Sequence, residues 1–391
     1  MTTPVILAAK RTPVGKFFGG LSKVHSPILG SYAIKAALDA VPGAAAHVDE
    51  CIMGCVLQAG LGQNPSRQAG LKAGLPDTLN AVTINKVCGS GLQAVTQAAQ
   101  TIRAGDNHLV IAGGFENMTA APHFARIREG VKFGPTQMED VMAYDGLRCA
   151  FECWAMTNGA DHIAKKYDIS RAEQDRFSVQ SHQRAAEATK NGYFKNEIVA
   201  LTGEQCLDKR SPGVSADEGI RPETTIESIA KLRALPGHET ITAANASQIS
   251  DGAAAIVVAS MQAAEKLGAK PMARILASHT SGVAPKDIFA APITGIQGVL
   301  EKAKLKISDI DLFEINEAFA AQVLCNLKAL SIDEARVNIC GGGIAIGHPI
   351  GGSGARVLTT LIHQLHRTGG KRGLVALCLG GGNSVAMVIE I

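Results

Sequence analysis

Two cysteines and a histidine stand beside short glycine clusters in this 391-residue chain, and an asparagine follows a strand-like run, a combination suited to covalent, nucleophilic catalysis. Cys88 follows a strand-like segment, Ala81 to Ile84, and opens a helical pattern. A thiol at a helix N-terminus meets the positive end of the macrodipole and free N–H groups, which favour thiolate. Gly89 and Gly91 let a ligand approach the backbone closely. His348 lies in the run Gly347-His-Pro-Ile-Gly-Gly-Ser-Gly354, and an imidazole beside a thiol is a standard activating pair. Cys378 ends a strand-like run before Gly380-Gly-Gly382. It offers a second thiol for acid–base work, with glycine N–H groups available as oxyanion donors. Asn316 follows strand-like Asp311 to Ile315; it can hold a water, donate to an oxyanion, or cap a helix. Packing cysteines and a turn histidine are the plainer readings of these positions.

An internal echo links them. The first copy runs from Cys88-Gly-Ser-Gly91 into a helical pattern with Leu92, Val95, Ala99 and Ile102 on one face. It stops at Gly105 and passes into a strand, His108 to Ala112, ending at Gly113-Gly114. The second copy begins about 263 positions later at Gly351-Gly-Ser-Gly354, with Val357, Leu361 and Leu365 on one helical face. That helix stops at Gly369-Gly370 and leads to the strand Gly373 to Leu379. A repeated helix–strand unit points to two similar α/β halves. Packed about a pseudo-twofold axis, they would bring the turns of Cys88 and His348 into one pocket.

Between the halves, from about 118 to 247, the chain is polar and charged, with a helical stretch from Arg171 to Lys190. Such a segment is expected to be an insertion that covers a ligand. The expected organisation is therefore a first half at 1–268 containing this insert and a second half at 269–391. The run Ala253 to Ala259 and the N-terminal run Val5 to Ala8 read as strands.

Hydrophobic residues make up 46% of the chain and charged residues 19%, enough apolar surface for a large core. Aromatics at 4% and 42 glycines suit a glycine-turned α/β protein. A formal net charge of +3 gives no footprint for nucleic acid or a membrane surface. No apolar run is long enough for a membrane span, and the N-terminal apolar run is too short for a secretory signal. Nine cysteines without small-scaffold spacing read as reduced thiols in a cytoplasmic protein. The pairs Cys51/Cys55 and Cys149/Cys153 would share a face on helices, where zinc binding is conceivable; their apolar surroundings favour packing, and no metal site is expected.

The motifs Asn85-Lys-Val-Cys88-Gly-Ser-Gly, Asn316-Glu-Ala-Phe319, Gly347-His348-Pro and Cys378-Leu-Gly380 together resemble the thiolase family, as do Gly113-Gly-Phe-Glu-Asn-Met-Thr119 and Asn245-Ala-Ser247. The likeness runs the length of the chain. It implies two βαβαβαββ halves in an α-β-α-β-α layered core with an inserted loop domain. It also implies reversible Claisen chemistry, two acetyl-CoA to acetoacetyl-CoA plus CoA, by a ping-pong route. By resemblance Cys88 carries the acyl group. His348 activates Cys88 and, with a water on Asn316, holds the oxygen of the attacking thioester. Cys378 takes the α-proton, and the N–H groups of Cys88 and Gly380 form the other oxyanion hole. Arg221, Ser228 and Ser247 fall at the CoA site, and Leu147, Met156 and Phe319 at the substrate pocket. The partners implied are acyl-CoA substrates and three further copies of the chain as a dimer of dimers, with Arg126 to Gly134 as the tetramerisation loop; no resident cofactor is implied.

Three departures from the family pattern stand out: Ala155 replaces the subgroup's usual His before Met156, Phe289-Ala-Ala-Pro292 replaces a glycine-rich stretch, and Cys340 and Gly343 replace Asn and Ala. Ala155 keeps a degradative 3-ketoacyl-CoA thiolase of broader chain length open. A condensing enzyme of the ketoacyl synthase type would lack Cys378, and a silent CoA-binding scaffold would have lost a catalytic position. The G-x-G-x-x-G of a nucleotide-binding oxidoreductase is absent near Val5 to Lys16.

Overall fold

A computed structural model describes residues 3–128 and 130–391. The first half comprises β1 (Pro4–Arg11), β2 (Gly15–Lys16), α1 (Ser26–Asp39), β3 (Glu50–Gly54), α2 (Pro65–Lys72), β4 (Asn80–Ile84), α3 (Ser90–Ala104) and β5 (Leu109–Asn117). There follow β6 (His123–Phe124), β7 (Glu139–Asp140), α4 (Met156–Lys166), α5 (Arg171–Lys190) and α6 (Ile226–Ile229). The chain then returns through β8 (Ser250–Ser260) and α7 (Met261–Lys266). The second half comprises β9 (Ala273–Gly282), α8 (Ala291–Ala303), β10 (Leu312–Ile315), α9 (Ala320–Leu330), α10 (Ile350–Thr368), β11 (Arg372–Leu379) and β12 (Asn383–Glu390).

The strands lie in the order β4-β3-β5-β8-β1-β9-β12-β11-β10, with β2 on β8. The halves meet where β1 pairs with β9 at only two positions, Val5–Arg274 and Ile6–Ala273. Outward from that seam the pairings repeat. β1–β8 and β8–β5 are antiparallel and β5–β3 is parallel; β9–β12 and β12–β11 are antiparallel and β11–β10 is parallel. Alternation along the strands sorts side chains into layers. Val5 and Leu7 face α1 and α2, whereas Ile6 faces a central layer of α3 and α10, and α8 and α9 cover the far side.

The halves are not equal. β4 pairs with β3, but its counterpart in the second half shrinks to one parallel bridge, Phe313–Val337. Asn338 explains this: at φ 47° it leaves the extended path, and its side chain takes over the ladder, accepting from Ile315 N and donating to Ile315 O at 2.9 and 2.8 Å.

α3 buries Leu92, Val95, Ala99 and Ile102 and stops at Gly105, whose φ of 88° suits glycine. β5 does not end at Gly113-Gly114, as the sequence suggested, but runs through them. A Cβ on Gly113 would lie 2.1 Å from Ala254 O, and one on Gly114 2.1 Å from Gly351 O. The glycines are there for close approach, not to break the strand.

The segment between β5 and β8 is more than a loop. α5 starts on a capping box, Ser170 with Glu173. Ile163 of α4 and Phe177 of α5 are buried in one apolar cluster with Phe313, Ile315 and Val323, so the segment leans on the second half. Neither cysteine pair lies on a helix. Cys51 is in β3, Cys55 donates to Glu116 Oε1 at 3.5 Å, and Cys149 and Cys153 close a turn through Cys153 N and Cys149 O at 3.0 Å. All nine cysteines are free thiols. Among the described residues no three metal-binding side chains gather, and no helix is long and apolar enough to cross a membrane.

Candidate active site

α3 and α10 run side by side, so the turns that precede them converge. Together with the end of β11 they enclose a cavity of about 260 Å³ lined by Cys88, His348, Cys378 and Gly380. Leu147, Met156, Ser247 and Phe319 complete its walls. Two local pairings set those walls. Arg148 bridges Ala155 and Met156 N donates to Leu147 O, making a hairpin whose base carries Leu147 and Met156. Ala246 bridges Phe319, with Ser247 N donating to Ala318 O, which seats Ser247 and Phe319 side by side.

Cys88 sits one residue before the N-cap Gly89. Val87, before it, is a β-branched residue at φ 47°, a strained conformation. Hydrogen bonds hold it: Val87 N donates to Asn85 Oδ1, Ser90 N and Ser90 Oγ donate to Val87 O, and Lys86 N donates to Ser90 Oγ. The backbone N–H groups of Cys88 and Gly380 favour the Cys88 thiolate. The sequence suggested that the helix terminus would favour thiolate, but burial outweighs these donors and pushes the thiol up to about 12. Burial, with Cys88 nearby, likewise raises the Cys378 thiol well above its ordinary value. In the resting protein both thiols are protonated at neutral pH.

His348 follows Gly347, where φ is 116° and a Cβ would lie 2.3 Å from Ser250 Oγ. Its N–H donates to Ser250 Oγ and Gln248 O, and Gln248 Nε2 in turn donates to Gly219 O and Ala345 O. His348 Nδ1 is 2.6 Å from Ser353 Oγ, which lies 2.9 Å from Pro349 O. With the hydroxyl hydrogen directed at Pro349 O, Ser353 accepts from Nδ1–H, and Nε2 carries the lone pair. Burial, reinforced by the Arg356 charge, lowers His348 to about 3, so the ring is a neutral base in waiting.

Asn316 is buried, with Nδ2 3.4 Å from His348 Nε2. It does not cap a helix, because α9 begins at Ala320 after Phe319. Glu116 is a contributor the sequence reading passed over, although it lies in a quoted motif. It accepts from Val56 N, Leu57 N and Gly351 N, tying the first half to the start of α10. Burial raises its carboxyl to about 7. Ser353 was likewise visible only as part of a glycine run.

Arg221 and Ser228 do not line the cavity. Both are exposed; Arg221 N donates to His182 Nδ1, and Ser228 closes a capping box with Thr225. Ala155 does line it, and is the one exposed residue among the described residues that do.

Duplicated α/β halves that enclose a cavity of this chemistry define an acyl-transferring enzyme. The family model described as "Thiolase, N-terminal domain" matches residues 4–262, and "Thiolase, C-terminal domain" matches 269–391. The chain belongs to the thiolase family. It is 48% identical over 388 residues to an acetyl-CoA acetyltransferase of Chromobacterium violaceum, covering 98% of each chain. It is 46% identical to the Escherichia coli acetyl-CoA acetyltransferase, covering 100% of this chain and 99% of that one. Among solved structures, the Bacillus anthracis acetyl-CoA acetyltransferase superposes with a TM-score of 0.96 at 37% identity, covering 100% of this chain and 99% of that one. Human mitochondrial 3-ketoacyl-CoA thiolase also reaches 0.96 at 37% identity, covering 100% and 98%.

Proposed function

We propose that this enzyme joins two acetyl-CoA molecules into acetoacetyl-CoA and CoA, and runs the reverse thiolysis, through a thioester on Cys88. The convergence of Cys88, His348 and Cys378 on one cavity carries the reading. With both thiols protonated and the imidazole neutral at rest, the protons close on themselves. Cys88 Sγ bonds the acetyl carbon of the first acetyl-CoA as its proton passes to His348 Nε2. The N–H groups of Cys88 and Gly380 receive the oxyanion. The bond to the CoA sulfur breaks, and Cys378 gives its proton to the departing thiolate. A Cys378 thiolate now faces a protonated His348.

Cys378 then removes the α-proton of the second acetyl-CoA. His348 Nε2–H and a water on Asn316 hold the enolate oxygen, so base and donors act together. The carbanion attacks the Cys88 thioester; the C–C bond forms, the C–S bond breaks, and Cys88 recovers its proton from His348. Coenzyme A enters only as substrate, and no resident metal or redox group takes part. Leu147, Met156 and Phe319 bound the acyl group and Ser247 meets the pantetheine. Arg221 and Ser228 meet the nucleotide end outside the cavity.

The exposed Ala155 supports a second reading, a degradative 3-ketoacyl-CoA thiolase of broader chain length. The deciding experiment compares kcat/KM for thiolysis of acetoacetyl-CoA and a long-chain 3-ketoacyl-CoA, with Cys88→Ala as control. A preference for acetoacetyl-CoA, abolished in the control, is expected. Comparable long-chain rates would move the enzyme to the second reading, and inactivity on both would sink either.

The chain is proposed to work in the cytoplasm as a homotetramer. Support comes from Ile127, Val131, Phe133 and Met138, large apolar side chains left exposed in and beside the loop Arg126 to Gly134, of which residue 129 lies outside the described residues. Light scattering of wild type and Phe133→Ser tests it: tetramers that dissociate on substitution are expected, and a wild-type monomer would overturn it.

A further inference from the structure

Arg356 projects from α10 into the protein interior and is 2% exposed. Its Nη2 lies 3.5 Å from Asn316 Oδ1, while its Nε and Nη1 have no hydrogen-bond partner. The nearest carboxylate, Glu314, is 3.9 Å from Nη1, and Glu314 Oε2 is itself unpartnered. A buried guanidinium this poorly paired is a weak source of stability, since an apolar side chain of similar size would avoid its desolvation cost. Its position suggests another use.

An asparagine amide presents opposite chemistry when turned over: Oδ1 only accepts and Nδ2 only donates. Arginine has donors alone, so Arg356 behind Asn316 selects the orientation with Oδ1 toward the guanidinium. Nδ2 then faces Nε2 of His348, which lines the cavity. In the other orientation an oxygen lone pair would face the lone pair of the resting imidazole. Glu314 and Asn316 are two apart at the end of β10, so both are offered to α10 from the same face.

We propose that Arg356 is a positioning residue that acts through Asn316, holding its amide so that the NH₂ end holds the water that serves the enolate oxygen during C–C bond formation and cleavage. This rests on the role given to Asn316 above. Acyl transfer between CoA and Cys88, which forms no enolate, does not need it.

The test is a double-mutant cycle on the full-length enzyme with Arg356→Met, Asn316→Ala and both together, and Arg356→Lys as a second variant at the same site. Two rates are read: thiolysis of acetoacetyl-CoA, and exchange of the acetyl group between acetyl-CoA and labelled CoA. Arg356→Met is expected to lower the kcat of thiolysis about 10- to 100-fold while KM and exchange stay within about 3-fold. The double variant is expected to be no slower than Asn316→Ala alone. Arg356→Lys, which keeps a charged donor, retains more thiolysis than Arg356→Met and carries the cycle if the Met variant does not fold. Equal loss of both rates, or additive losses in the double variant, would assign Arg356 to the scaffold and overturn the proposal. Undiminished thiolysis in Asn316→Ala would instead overturn the reading of Asn316 itself.

Discussion

Gly91 and Gly354 face each other's helices in the central layer: a Cβ on Gly354 would lie 2.3 Å from Leu92 N, and one on Gly91 2.8 Å from Ala355 N. They occupy the same place in the two copies of the repeated motif. Their contact brings the first turns of α3 and α10 together, and with them the loops that carry Cys88 and His348.

Gly354→Ala therefore forces the helices apart. A loss of about 3 kcal/mol or more is expected in urea unfolding, since the clash is with backbone that cannot rotate away. Gly105→Ala, at φ 88° with nothing near its Cβ, is expected to cost only about 1 kcal/mol.

Ser353→Ala removes the partner of His348 Nδ1. Pro349 O keeps its bonds from Gly352 N and Ser353 N, so the helix start survives. The expected result is a kcat about 10-fold lower with a stability loss near ~1 kcal/mol. Unchanged kcat would mean that packing alone orients the ring.

Cys88 stands at about 12, so its alkylation by iodoacetamide in the absence of substrate should keep rising from pH 6 to pH 9 without a plateau. A plateau near neutrality would show a preformed thiolate. The same burial acts on acid stability. His348 is lowered from 6.5 to about 3, so the unfolded chain binds the extra proton first; this contribution to stability is present above pH 6.5 and lost as pH falls toward 3. His348→Asn should flatten the acid limb of a Tm-against-pH curve.

Val87→Asn places a residue tolerant of left-handed backbone where a β-branched one is strained. Its stability is expected to rise by about 1 kcal/mol in thermal unfolding. A drop would show that the valine side chain, which packs against Gly380, contributes more than the strain costs.

Ala155→His adds bulk at an exposed point of the cavity wall. It is expected to reduce kcat/KM for a long-chain 3-ketoacyl-CoA at least about 10-fold more than for acetoacetyl-CoA, the scale of a steric pocket effect. Equal changes would place the chain-length limit elsewhere, at Met156 or Phe289.

Much was legible in the sequence because it is local or repeated. Apolar spacing marked α3 and α10, glycines marked their ends, and the duplicated Gly-Ser-Gly motif announced two related halves. A motif set spread over the chain nominated Cys88, His348, Cys378 and Asn316; the first three line one cavity, and Asn316 lies beside His348. Arrangements made across the chain were not legible. The reach of β5 through Gly113-Gly114 depends on what lies against it, and the missing strand beside β10 depends on the Asn338 side chain. The Cys88 thiol shows the division most plainly. Its sequence position offers a helix terminus and backbone donors, which favour the thiolate. Burial, which favours the thiol, comes from separate parts of the chain, Val56 and Leu57, Met118, and Ile350. Residue types and spacing settled which groups are present; only the folded packing, by removing water, decided that they rest neutral.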